Sequence, residues 1–314
     1  MKRSMIPSSR PMALALGCAV LTLALLFGAC GGSDETALPS TTPVASPSVV
    51  PAEEPVSQWD VPGSASAAQT GAVAKTYGMA VTAEKFPTAG LYAKDATWDY
   101  WETDIHQQGA KRIASNYAGA ASTLDWSKVH VLTAPGVAVD EGRLTAPGPA
   151  STAFLTLLAV DGHEIVHEEV FLDDPGSQSK RPVVFARSAP GPKDTAKVAS
   201  EVASAVGDAF AAGDQGAIAE LVAPDILFYD TELQHGVRGV DALLAWQSKT
   251  PSVELTNQEP MAGPGWAVVR WTVREAYPTG VELAMPGATV FEVRDGKVAR
   301  MTLYYDSKVI RLQE

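Results

Sequence analysis

Cysteine is almost missing from this sequence, and the little there is lies at one end. The two cysteines are Cys18 and Cys30, so the chain beyond them has no disulfide framework and depends on packing. Positive charge is scarce as well. Lys and Arg number 24 against 36 Asp and Glu, a formal net charge of −12. Phosphate backbones are held by clustered Lys and Arg, and no such cluster occurs, which excludes nucleic acid as a partner. What remains is ordinary for a globular protein, with 46% hydrophobic and 19% charged residues. A length of 314 residues is enough for two domains.

Long apolar runs are lacking, with one exception. "MKRSMIPSSR" carries Lys2, Arg3 and Arg10, and "PMALALGCAVLTLALLFGAC" then runs without a charge to Cys30. A basic head, an apolar run and small residues before a cut site make a secretory signal over residues 1–29. Its end, "LFGAC", resembles a bacterial lipobox, with Phe27 where Leu is usual. The pattern predicts cleavage that leaves Cys30 first and lipidated. The alternative is an uncleaved anchor, since the run is nearly long enough to span a bilayer. Cleavage removes three positive charges and takes the net charge from −12 to −15. Such a surface gains nothing from anionic lipid, so the lipid on Cys30 would be the membrane partner, on the extracytoplasmic face. "GGSDETALPSTTPVASPSVVPAEEPVSQWD" follows, rich in Pro, Ser and Thr and without a period. It reads as a disordered tether over residues 30–66.

An internal repeat organises the remainder. "KDATWDYWETDIHQQGAKRI" from Lys94 overlays "PDILFYDTELQHGVRGVDAL" from Pro224 without a gap, 130 residues apart. The overlay pairs Trp98 with Phe228, Glu102 with Glu232 and Gly109 with Gly239. That period is a domain's length, too long for a solenoid, and predicts a tandem duplication. The copies are placed at 67–187 and 195–314, joined by a Gly/Pro linker at 188–194. In the second copy Val198, Val202, Val206 and Phe210 recur every four residues, one face of a helix, with Gly213 as its C-terminal cap. "GAIAELVA" and "VDALLAWQSK" are further helices. "DILFYD", "SVELTNQEP", "GWAVVRWTVREAY", "ATVFEVR" and "KVARMTLYYD" read as strands, the last two joined by an Asp295-Gly296 turn. Helices followed by an antiparallel meander make an α+β domain.

"DGHEIVHEEVFLDD" poses a separate question, because HEIVH has the spacing of a zinc protease helix: His163, Glu164 and His167. The repeat sets Asp161-Gly162 where Asp295-Gly296 stands, so the motif falls on the second arm of a hairpin. Residues four apart are about 5–6 Å apart on a helix but about 13 Å on a strand at roughly 3.3 Å per residue. Zn–N bonds are about 2.1 Å, so one ion cannot bind both histidines. The motif is read as polar residues on a solvated strand face, and no residue is assigned as a metal ligand.

"AFAAGDQGAIAELVAPDILFYD", "GVRGVDALLAW" and "GATVFEVRDGKVARMTLYYD" together resemble the SnoaL-like branch of the nuclear-transport-factor-2-like fold. The first copy looks like a diverged member. The resemblance implies two tandem cone-shaped domains, each a helical layer on a curved antiparallel sheet around a pocket. It implies no cofactor. Members include ketosteroid isomerase, polyketide cyclases, epoxide hydrolases, scaffold subunits and proteins without known activity. By the overlay Asp230 stands at the isomerase's proton-transferring carboxylate. Val206 stands at its catalytic tyrosine, and "PGATVFEV" supplies no acid for the enolate oxygen. Isomerase chemistry needs that donor, so the specific activity is not expected.

Strand alternation and the helices suggest a pocket lined by Phe228, Val206, Phe210, Trp246, Met301, Leu303 and Tyr305, with Asp230 as its one acid. In the first copy Trp98 and Tyr100 occupy the matching places, Trp98 reading more as core. Asp230 has a structural alternative, a strand-end carboxylate bonded to loop amides. His235 is placed in the loop near the mouth. Arg270 and Arg274 share a strand face with Trp266, its direction open. Three functions fit: a lipoprotein whose domains bind a small hydrophobic ligand or an envelope protein; a SnoaL-type cyclase, isomerase or hydrolase using Asp230; or a built-in pseudo-dimer, paired sheet to sheet as in homodimeric relatives, whose role is interaction.

Overall fold

Ser66 opens the first helix with a capping box. Its backbone N–H and hydroxyl reach Gln69 Oε1 at 2.9 and 2.8 Å, and its Oγ accepts from the Gln69 N–H at 3.3 Å. A computed structural model of the chain describes residues 64–82, 89–100, 105–120, 125–145, 151–172, 194–231, 235–249, 254–276 and 282–305. The expected signal segment, Cys30, almost all of the tether and residues 188–193 of the linker lie outside them, as do Trp101, Glu102 and Glu232. The described residues fall in one compact unit, Pro55–Glu314.

The first half runs α1 (Ala67–Thr82), a 3₁₀ turn, β1 (Tyr92–Tyr100), β2 (Ile105–Gln108), α2 (Ala110–Ala120), β3 (Asp125–Ala134), β4 (Val137–Thr145), β5 (Ser151–Asp161) and β6 (Glu164–Leu172). The second runs α3 (Ala196–Ala212), α4 (Gln215–Leu221), β7 (Val222–Asp230), β8 (His235–Arg238), α5 (Val240–Gln247), β9 (Glu254–Asn257), β10 (Met261–Gly263), β11 (Trp266–Ala276), β12 (Glu282–Arg294) and β13 (Lys297–Tyr305). The sheets order as β2-β1-β6-β5-β4-β3 and β10-β11-β12-β13-β7-β8, with β9 also on β11. Gly109 and Gly239, paired by the overlay, hold φ +100° and +88° and donate to Ala96 O and Ile226 O at 2.8 Å. A left-handed φ there suits glycine, which has no Cβ to clash.

The sheets are mixed, which corrects the expected all-antiparallel meander. The first strand of each pairs in parallel with the last, β1 with β6 and β7 with β13. In the first half α2 carries the chain from the β2 edge to the opposite edge, and the antiparallel run from β3 then returns its last strand beside β1. The α+β class stands, with helices on one face of each sheet.

Thr195 caps α3 by accepting from the Val198 N–H at 3.3 Å, and Gly213 ends it in the left-handed region at φ 66°. The buried face of α3 is Ala199, Ala203, Val206 and Ala209, with Val198 and Val202 at its border. Small residues carry most of the contact of α3 with its sheet. EIVHEEVFL forms β6, the second arm of a hairpin with β5, and His163 sits in the turn before it.

The helix-free faces of the two sheets pack on each other. Leu155, Leu157 and Phe171 of the first share one core with Trp266, Val268, Val290 and Tyr304 of the second. Alternation sends Phe154 and Leu158 to the helices of the first half, and Ala267 and Val269 to those of the second. Strands buried on both faces read as unbroken apolar runs, which is why "FLTLLAV" and "WAVV" lack polar alternation. Arg270 points into this interface and donates to Glu169 Oε1 at 2.8 Å, whereas Arg274 is exposed.

A second charged pair is buried there. Arg300 Nη1 donates to Glu141 Oε1 at 3.0 Å and Nη2 to Glu141 Oε2, while its Nε donates to Glu292 at 2.6 Å. Tyr304 adds a 2.7 Å bond to Glu141 Oε1, and His130 Nδ1 lies 3.0 Å from Oε2. Burial pushes the Glu141 carboxyl up; the Arg300 charge and these hydrogen bonds outweigh it and bring the carboxyl down to about 2. Arg300→Met strands Glu141 and is expected to cost about 3–5 kcal/mol in urea unfolding, with Arg300→Met/Glu141→Leu recovering most of it. A folded value below the unfolded one means stability present above the unfolded value of 4.5 and lost as pH falls towards 2. Over that window the wild type should lose about 3 kcal/mol more than the double variant.

Candidate functional site

The end of β7 places Asp230 inside the second half, with no solvent exposure. Thr231 fixes that end, its backbone N–H and hydroxyl both bonding Leu303 O, the latter at 2.7 Å. Tyr305, half-buried on β13, donates its phenol to Asp230 Oδ2 at 3.2 Å. The Tyr305 ring leans on Trp271, centroids 5.8 Å apart, and Trp271 Nε1 donates to Thr289 Oγ1 at 2.8 Å. Gly287 is required beneath that indole: a Cβ there would fall 2.2 Å from the ring. Val206, Phe228 and Met301 are buried in one apolar cluster, with Phe210, Trp246 and Leu303 packed against it. The Phe228 and Trp246 rings lie 4.3 Å apart. The eight residues picked out in the second copy thus share one interior, a carboxylate and a phenol joined beside apolar walls. The His235 side chain lies outside the described residues.

The first half is built differently. Trp98 and Tyr100 stack with centroids 5.5 Å apart and planes 1° apart, and Trp98 meets Tyr117 edge-on at 5.8 Å. Trp98 is buried, as its reading as core required. The centre is Glu168, with no exposure. Tyr77 donates to its Oε1 at 2.7 Å, Tyr92 to its Oε2 at 2.6 Å, and Tyr117 to Oε1. Burial pushes the Glu168 carboxyl up, and the three phenol bonds only partly offset it. The same burial, with the nearby carboxyl, holds all three phenols well above their ordinary value.

The burial of His167 corrects the reading of the polar residues of HEIVH as a solvated face. His163 and Glu164 are exposed, but His167, Glu168 and Glu169 are buried. Two signals could have found Glu168. It alternates with Val170 and Leu172 on the apolar face of β6, and buried tyrosines call for a hydrogen-bond partner. Glu169, His167 and Arg270, on the opposite faces of their strands, were likewise missed as interface residues.

Among the described residues two groups have the residue types of metal sites, Asp99 with His167 and Glu169, and His130 with Glu141 and Glu292. Arg300 bonds both carboxylates of the second group, so a cation already fills it.

Residues 203–301 match the family model described as the SnoaL-like domain. No curated protein matches the chain in sequence. Among solved structures, a hypothetical protein with a ketosteroid isomerase-like fold from Catenulispora acidiphila is 18% identical, covering 36% of this chain and 91% of that one, with a TM-score of 0.33. A candidate polyketide cyclase from Xanthomonas campestris pv. campestris is 21% identical, covering 38% and 97%, TM-score 0.33. An NTF-2 like protein of unknown function from Burkholderia xenovorans is 20% identical, covering 35% and 84%, TM-score 0.31.

A raised carboxyl makes the opposite pH signature to Glu141. The folded state holds a proton that the unfolded chain releases, so the stabilisation is full below 4.5 and declines as pH rises above it. Glu168→Gln keeps an acceptor for the phenols and is expected to remove that decline, seen as a flatter plot of unfolding free energy against pH than the wild type gives.

Proposed function

We propose that the chain is a cell-envelope lipoprotein, anchored by lipid on Cys30 at the extracytoplasmic face and lifted by its tether. Its two SnoaL-like halves, related by tandem duplication, divide the work. The second binds a small, mostly apolar molecule with a polar group to set against Asp230 and Tyr305. The observation that carries this is the contrast between the two interiors. In the first, the acid is occupied by three tyrosines. In the second, a carboxylate and a phenol stand at the edge of apolar walls, the pattern of a small-molecule site with few convergent polar groups.

A second reading is favoured by the 3.2 Å bond between Tyr305 and Asp230. A carboxylate and a phenol in contact can pass a proton, so Asp230 could act as acid or base in cyclase, isomerase or hydrolase chemistry. Fold alone does not choose between binding and turnover.

Native mass spectrometry of the chain extracted from its own host in mild detergent tests both the anchor and the ligand. The expected result is an N-terminal lipidated Cys30 and a co-purifying small molecule. That mass should disappear in Asp230→Asn and in Trp246→Ala and persist in Trp98→Ala. A chain that begins upstream of Cys30 sinks the anchor, and a clean apo mass sinks the binding reading. The enzymatic reading is abandoned if a panel of polyketide, steroid and epoxide substrates shows no turnover.

A further inference from the structure

The metal question posed by HEIVH has a different answer two residues further on. His167 and Glu169 lie at i and i+2 of β6, so they share a face. In the parallel register Asp99 is opposite Glu169 and Thr97 opposite His167. We infer that Asp99, His167 and Glu169 form a binding site for a divalent transition metal of the zinc class, on the face of the first sheet turned away from its helices.

The distances carry the assignment. His167 Nε2 lies 3.4 Å from Glu169 Oε1 and 3.7 Å from Asp99 Oδ2, and one ligand atom from each residue falls within 4.8 Å of the others. Two atoms bound at about 2.1 Å to a tetrahedral ion are themselves roughly 3.4 Å apart. The imidazole is also turned the right way. Thr97 Oγ1 lies 2.6 Å from His167 Nδ1, which leaves Nε2 as the nitrogen facing both carboxylates. Such an outer partner fixes the ring and its tautomer in metal sites. Asp99 is held in turn by His106 Nδ1 at 2.8 Å, from the neighbouring strand β2.

Burial and charge agree. The His167 and Glu169 side chains are each 3% exposed, while Asp99 at 21% and His106 at 44% open towards solvent, giving an entry path. Arg270 bonds Glu169 Oε1 at 2.8 Å and offsets one of the two carboxylate charges, so an ion would share Glu169 with it. One imidazole with two carboxylates is a donor set that zinc accepts and that calcium and magnesium, which prefer oxygen, do not favour. The His130 group, with similar residue types, is closed by Arg300 and serves as an internal control.

The test uses the untagged chain, washed with chelator, re-exposed to zinc sulfate, desalted and assayed for bound zinc. Stoichiometric zinc is expected. His167→Ala and Glu169→Gln should each weaken it by at least about tenfold, with His130→Ala unchanged. In case His167→Ala does not fold, wild-type protein loaded with cobalt should show the intense visible bands of low-coordinate Co(II), weakened in Asp99→Asn. Zinc well below stoichiometric, zinc retained equally by His167→Ala, or a cobalt spectrum no different from the aqueous ion overturns the site. In that case His167 is an ordinary ion-pair partner between two carboxylates.

Discussion

The pair Arg300–Glu141 is the constraint on which the architecture turns. Two charges with 4% and no exposure are tolerated only when each is bonded nearly to capacity, because desolvation costs several kcal/mol per ion. The partners come from opposite halves. Satisfying one half's charge therefore requires the other half in register, and the apolar core shared by the two sheets is assembled around that requirement. Neither sheet could expose Leu155, Leu157, Val268 and Val290 on its second face without that cover. The interface follows from the unbroken apolar strands as much as from the ion pair.

The Arg300–Glu141 and Arg270–Glu169 pairs cross this interface from related strands with their charges exchanged. β4 and β11 begin 129 residues apart, which sets Glu141 against Arg270. Trp98 faces Glu168 on the last strand of its sheet, and Phe228 faces Met301 on the last strand of the other. One position back, His167 corresponds to Arg300. In one contact the acid is on β4 and the cation on β13; in the other the cation is on β11 and the acid on β6. Were the second half to pair with its own copy through this face, Arg270 would meet Arg300; in the same pairing of the first half Glu141 would meet His167. Like charges brought together in a desolvated interface cost several kcal/mol. For the second half that repulsion would disfavour pairing with its own copy, a repulsive element beside the attractive one.

Much of this was legible in the sequence, and the illegible part has a common cause. Periodicity located α3, its Gly213 cap and the hairpin arms, and the pairing of Gly109 with Gly239 marked a shared turn. The failures lie where a strand is buried on both sides. Alternation assigns residues to two faces but does not say that the second face is covered. His167 was therefore given to solvent, and the direction of Arg270 could not be read. The parallel pairing of first and last strands was missed because it joins segments far apart in the chain. The Ser66–Gln69 capping box was legible and overlooked.

The two interiors show what that coverage makes possible. Tyr77 stands on α1 where Val206 stands on α3, since the helices begin 129 residues apart; Glu168 stands where Met301 stands. One pair of positions thus holds a phenol and a carboxyl in the first half and two apolar side chains in the second. A carboxyl bonded by three phenols is rigid and has little capacity left for a ligand. Replacing those groups with Val206 and Met301 removes the internal demand for hydrogen bonds and moves the polar chemistry of the second interior to Asp230 and Tyr305, at the strand ends. The first half gains a self-satisfied polar core and supplies half of the interface, and the proposed function assigns the guest to the second.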